Sequence, residues 1–198
     1  MCGNNNRTMK NFKFLGTAAL ASLLFVSCEQ TNFDLDIPFN HSFTENVVIK
    51  ANEENSKSDT TFFSASSSAE LEENLSKVST LDVEKVLFSI SNMTNQDSTA
   101  FVSAHGTVEL LSGDLATSYG TFIFAGTLET LILTSPLDLK PNAQNLVDGI
   151  GNVILNELKA GKEIAFIATY FGSNNTNQEY SFDATVDVKF KAVASVTE

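Results

Sequence analysis

His41 and His105 are the only imidazoles in the 198 residues, and Cys2 and Cys28 are the only thiols. So few ligands exclude zinc ribbons, iron–sulfur sites and disulfide scaffolds. Nucleophilic or metal-assisted catalysis would need acids and a base in a recognisable pattern, and neither HExxH nor GxSxG occurs. Both histidines read as ordinary strand or surface residues, so no catalytic, metal or cofactor site is assigned. Carboxylates offer two more constellations. Asp34 with Asp36, and Asp183 with Asp187, each share a strand face. Such pairs could bind calcium through oxygen, although neither matches an EF-hand loop. As glycosidase acids they would need a separation of about 5–10 Å. Strand residues two apart lie about 6.5–7 Å apart and those four apart about 13 Å, which disfavours Asp183 with Asp187 and admits Asp34 with Asp36. The chain has no Trp to stack on a sugar. Solvated strand faces are the better account of all four aspartates, and a hydrolase ranks third among the functional readings. Gly149-Ile150-Gly151 falls inside a helical pattern rather than after a strand, so it packs a helix closely instead of cradling phosphate.

The elements that would carry these residues read mostly as strands. Composition is that of a globular chain, 42% hydrophobic and 18% charged, with sixteen Phe to fill a core. Phe33, Leu35, Ile37 and Phe39 alternate with Asp34, Asp36, Pro38 and Asn40, giving a half-buried strand that Pro38 marks as an edge. Phe43 and Val47-Val48-Ile49 suggest a second strand. The Ser-rich run 52–67 reads as a loop, with Phe62 and Phe63 docking back. A short helix follows to Val78, with Ser67 and Glu70 at capping-box spacing. Further strands are expected at Val83–Ile90, Phe101–Leu111, Tyr119–Ala125, Leu131–Leu133 and Ile164–Tyr170. Either face of Phe101–Leu111 could be the inner one. The clearest strand runs from Tyr180 to about Ala192, with Tyr180, Phe182, Ala184, Val186, Val188 and Phe190 inward. One long helix is expected at 141–161, with Pro141 at its start, Gly161 at its end and Val147, Ile150, Ile154 and Leu158 on one face. The sum is a mainly β chain: an antiparallel β-sandwich, Ig-like or related, with one long and one short helix.

The N-terminus has a different grammar. Basic Lys10 and Lys13 precede the uncharged run Phe14–Val26, and Ser27-Cys28 follows. Thirteen residues are too few for a membrane span of about 20 but suit the apolar region of a signal peptide. Charge, run, small residue and cysteine in this order resemble the lipobox of bacterial lipoproteins. Phe25 stands where the strictest pattern has Leu, and looser boxes of this kind are typical of Bacteroidota. The resemblance covers the first 28 residues. It implies that residues 1–27 are a signal peptide cut before Cys28, and that Cys28 carries acyl chains. It further implies that 28–32 is a lipidated tether and 33–198 a single domain. Met9-Lys10-Asn11-Phe12-Lys13 is an ordinary signal start, so either Met1 or Met9 opens the chain, and Met1–Thr8 adds nothing that a signal needs. Loss of the leader would take the chain from 198 to 171 residues and, by removing three cations and no acid, its net charge from −12 to −15. That acidity argues against nucleic acid, which needs a basic footprint. It also leaves membrane attachment to the lipid, with about 0.8 kcal/mol per buried methylene.

Asp59-Thr60-Thr61 and Asp97-Ser98-Thr99 resemble the short O-glycosylation acceptor of exported Bacteroidota proteins, making Thr60 and Ser98 candidate acceptors in expected loops. The functional expectation is a non-catalytic, lipid-anchored protein of the cell envelope, at the outer membrane. It binds an unidentified protein or glycan and serves as a binding or structural module. The alternative is a carrier holding a small hydrophobic ligand in a cavity under helix 141–161.

Overall fold

Alternation is strictest in the last strand, and it dictates the layer around which the rest is built. The structure, a computed structural model, describes residues 32–97 and 99–197. The signal segment, Cys28 and Ser98 lie outside them. In chain order the strands are β1 (Asn32–Ile49), β2 (Glu54–Phe63), β3 (Val78–Ser91), β4 (Val102–Ser112), β5 (Ser118–Thr127), β6 (Leu137–Asp138), β7 (Ala143–Gln144), β8 (Ile164–Asn174) and β9 (Tyr180–Thr197). The helices are α1 (Ala69–Asn74), α2 (Leu128–Leu133) and α3 (Ile150–Lys159). Two antiparallel sheets result, ordered β1-β9-β3-β6 and β2-β8-β4-β5-β7. Tyr180, Phe182, Ala184, Val186, Val188 and Phe190 of β9 all face inward and are buried, as their spacing requires. The fold is a mainly β sandwich.

Between the sheets the phenylalanines stack. Phe39, Phe63 and Phe190 form a near-parallel trio with centroids 4.9 to 5.5 Å apart. Phe88 stacks on Phe124 at 4.1 Å. Opposite sides of the sandwich close differently. On one side the edge strands β1 and β2 face each other. On the other, residues 137–144 cross between the sheets, pairing with β3 through β6 and with β5 through β7.

Several elements differ from the sequence expectation. The two strands expected before residue 50 are one, because inward parity runs unbroken from Ile37 to Ile49 and no turn interrupts it. Pro38 does sit on a sheet edge, as β1 is an outer strand. Residues 54–63 are strand β2 rather than loop, since every backbone group facing β8 finds a register partner there. The short helix is capped by Ser68, which accepts from the Leu71 amide at 3.3 Å, and it ends at Asn74. Leu131–Leu133 belongs to α2, started by the Thr127 side chain accepting from the Thr130 amide. The long helix is shorter than 141–161. Pro141 lies in a separate 3-10 turn, and α3 begins only at Ile150, after Gly149 in the left-handed region at φ 66°. Its end fits expectation, with Gly161 at φ 74° just beyond it. Gly151 packs as expected: a Cβ there would stand 1.7 Å from the Leu81 carbonyl oxygen, so only glycine lets α3 sit against β3.

Candidate functional site

The acids read as solvated strand faces are that. Asp34 accepts from Ser195 Oγ at 3.0 Å, and Asp36 pairs with Lys191 at 2.7 Å. Asp183 accepts from Asn46 at 2.9 Å and Asn92 at 2.8 Å, while Asp187 accepts from Asn40 at 3.2 Å. The Asn46 and Asn92 amides hold the Asp183 carboxyl below the ordinary range. All four sit on the outer face of the four-stranded sheet, laced to neighbouring strands. Among the described residues no group of three or more His, Cys, Asp or Glu is arranged to hold a metal.

The two histidines have contrasting places. His105 lies on the outer face of the five-stranded sheet, stacked on its cross-strand neighbour Phe171 at 5.0 Å. His41 points inward, among Phe43, Phe63 and Phe166, with Nε2 3.4 Å from Thr61 Oγ1. Burial pushes its imidazole below the usual value. It belongs to a polar seam between the edge strands β1 and β2, where Glu45 and Lys57 form an ion pair across the gap. Lys57 also donates to the Asn46 carbonyl at 2.8 Å. Behind them Tyr170 is 3% exposed and its hydroxyl lacks a protein partner. Burial, then Glu45 and Asp59, raises that phenol above its ordinary range. Inward charges on facing edge strands are a known device against edge-to-edge pairing. The seam is accounted for in those terms.

Helix α3 spends its apolar face on packing. Ile154, Leu155 and Leu158 are buried against the core. A cavity of about 310 Å³ lies at its first turn, walled by Leu81, Val83, Phe122 and Ile150 on its apolar side and by Asp82 and Lys140 on its polar side. Thr60 is exposed, but it sits in strand β2 instead of the expected loop.

A second cavity, of about 320 Å³, opens at the end of the sandwich where β1 finishes and α2 sits. Ile90, Met93, Ile132 and Leu133 supply its aliphatic wall, and Glu129, Asn92 and Gln96 its polar wall. Leu133 is 80% exposed and Phe101, beside α2, is 69% exposed. Leu133 and Ile132 stand open together in this groove, the kind of exposed apolar surface that marks an interaction site. Helix α2 causes this. Its Leu128 and Leu131 enter the core, which turns Leu133 outward and leaves Ile132, one turn beyond Leu128, half-open at the rim. The strand expected at Leu131–Leu133 gives no hint of this groove, which exists because the segment is helical. The signal available was Thr127 three residues before Thr130, the spacing of a helix cap.

No family model matches the chain, and no curated protein does. Among solved structures it is similar to Desmodium yellow mottle tymovirus at 11% identity, over 98% of each chain, with a TM-score of 0.36. It is similar to turnip yellow mosaic virus at 10% identity, over 84% of this chain and 96% of that one, with a TM-score of 0.36. It is also similar to the decameric BFDV capsid protein at 12%, over 82% and 99%, with a TM-score of 0.32. Likeness this distant carries no argument about activity.

Proposed function

We propose that this chain is a non-catalytic lipoprotein of the bacterial cell envelope, anchored at the outer membrane through acyl chains on Cys28, and that it binds a protein partner with its far end. The observation that carries the reading is the position of the exposed groove. Strand β1 starts at Asn32 at one end of the sandwich, and the Leu133 groove opens at the other. Three residues separate Cys28 from the strand, and the four extended steps to Asn32 reach about 13–14 Å. Eighteen strand residues at about 3.3 Å each then extend close to 60 Å. An anchor at Cys28 would hold the first end near the bilayer and present the groove away from it. Its aliphatic wall suits apolar side chains of a protein better than a glycan, and Glu129 at the rim suits a basic neighbour. The packed apolar face of α3 supports this reading over a carrier with its ligand under residues 141–161.

Two measurements test it. Cys28→Ala should move the protein from the detergent-rich to the aqueous phase in detergent partitioning; continued membrane association would overturn the anchor. A photo-crosslinking residue at position 133 in intact cells should give a discrete protein adduct that Glu129→Lys abolishes. Absence of any adduct would overturn the binding role.

A further inference from the structure

The outer face of the five-stranded sheet has a residue pattern that matches itself. Register fixes its rows. The central row is Ser58, Thr169, Thr107 and Ile123. One step toward the groove end lies the row Ser56, Phe171, His105 and Ala125. One step the other way lie Thr60, Ile167, Glu109 and Thr121. Phe62 and Phe171 are 44% and 40% exposed, in a chain of net charge −12. Among the described residues of this face the carboxylates are Glu109 and, at a corner, Glu54.

We infer that this face docks on the same face of a second copy, about a two-fold axis lying along the central row. Rotation about that axis leaves each strand over its counterpart and exchanges the two flanking rows. His105 then lies over the partner copy's Glu109, Phe171 over its Ile167, and Ala125 over its Thr121. Each Ile123, Thr107 and Thr169 meets its own equivalent. Base meets acid and apolar meets apolar, without any carboxylate of these three rows facing another. The outer face of the other sheet is less suited to a second copy, because its carboxylates Asp34, Asp36, Asp82, Glu84, Asp183 and Asp187 outnumber its cations Lys85, Lys189 and Lys191. Size also suffices. Four long strands about 4.8 Å apart and five rows about 6.7 Å apart cover roughly 600 Å² per copy. The roughly 1,200 Å² total is the lower bound of a specific interface. Aligned sheets packed about 10 Å apart are an ordinary sandwich geometry. The inference goes beyond the anchor and the groove and depends on neither.

Sedimentation of the full chain in detergent tests it. The wild type should sediment as a dimer. Ile123→Glu sets two carboxylates against each other on the axis and should weaken the dimer about tenfold or more. An equimolar mixture of Ile123→Glu and Ile123→Lys should restore it. Glu109→Lys alone removes the acceptor that faces His105 and should weaken the dimer, and adding His105→Glu should recover it with a Glu–Lys pair in that place. Thr107→Glu, also on the axis, replaces Ile123→Glu if that variant misfolds, as judged by circular dichroism. A wild type that stays monomeric at every concentration overturns the proposal. So does a dimer that the axial charges leave intact.

Discussion

The two outer faces of the sandwich belong to one chain and one core, yet they are built on opposite terms. On the four-stranded sheet, carboxylates alternate with amides, hydroxyls and lysines, and they are cross-linked strand to strand: Asn40 to Asp187, Thr44 to Thr185, Asn46 to Asp183, Lys191 to Asp36. On the five-stranded sheet, rows of Thr, Ile, Ala and Phe run almost without charge. Both are solvent-facing, so burial does not explain the difference. Charge on the first keeps copies apart and its cross-strand pairs add small increments of stability. The second gives up that repulsion. Weak charge on one face of so acidic a chain suits a partner there, and the self-matching rows fit a second copy.

Stability measurements can sharpen the contrast by showing that the common core, not either face, holds the fold. Phe190→Ala removes one ring of the Phe39–Phe63–Phe190 trio and should cost about 3–5 kcal/mol in denaturant unfolding. A loss near that of a surface change would mean that the faces carry the fold instead. The seam comes next. His41 is kept neutral by burial, so its folded value lies below the ordinary 6.5. The unfolded state therefore binds the proton more readily, and stability should fall as pH drops below about 6.5. His41→Phe, placed among Phe43, Phe63 and Phe166, should flatten that part of the pH profile, read as Tm against pH. An unchanged slope would assign the acid sensitivity elsewhere. The smallest effect belongs to the charged face. Asp183 sits below its usual range because Asn46 and Asn92 donate to it, so its contribution is present at neutral pH and fades below about pH 4. Asp183→Asn should lower Tm slightly at pH 7 and erase the difference at pH 3. A large loss at pH 7 would show that the ladder is more than a surface ornament of the fold.

Legibility in the sequence followed the same divide between faces. Strand β9 alternates without exception because one side is core and the other a charged surface, and its inward list could be read residue by residue. The two sides of strand β4 are hard to tell apart in sequence, since small Ala104 and Gly106 face inward while apolar Leu111 shares the outward parity of His105 and Thr107. A neutral outer face removes the contrast on which alternation depends. Strand β2 was hidden for a related reason: Lys57 and Asp59 point inward on an edge, reversing the usual code, and its outward residues are mostly Ser and Thr. The groove escaped because six apolar-rich residues with two capping threonines look alike as strand or helix until neighbours decide. The lipobox resemblance around Cys28 rests on residues outside the described ones and draws nothing from the fold.

The pairing of β1 with β9 runs from Asn32 opposite Thr197 to Ile49 opposite Tyr180, the whole length of both strands. A pull applied at the first end of β1 and resisted at the opposite tip acts lengthwise on that ladder. The rungs are then strained together, as in shear, and cannot peel open one after another. A ladder loaded this way resists unravelling from that end.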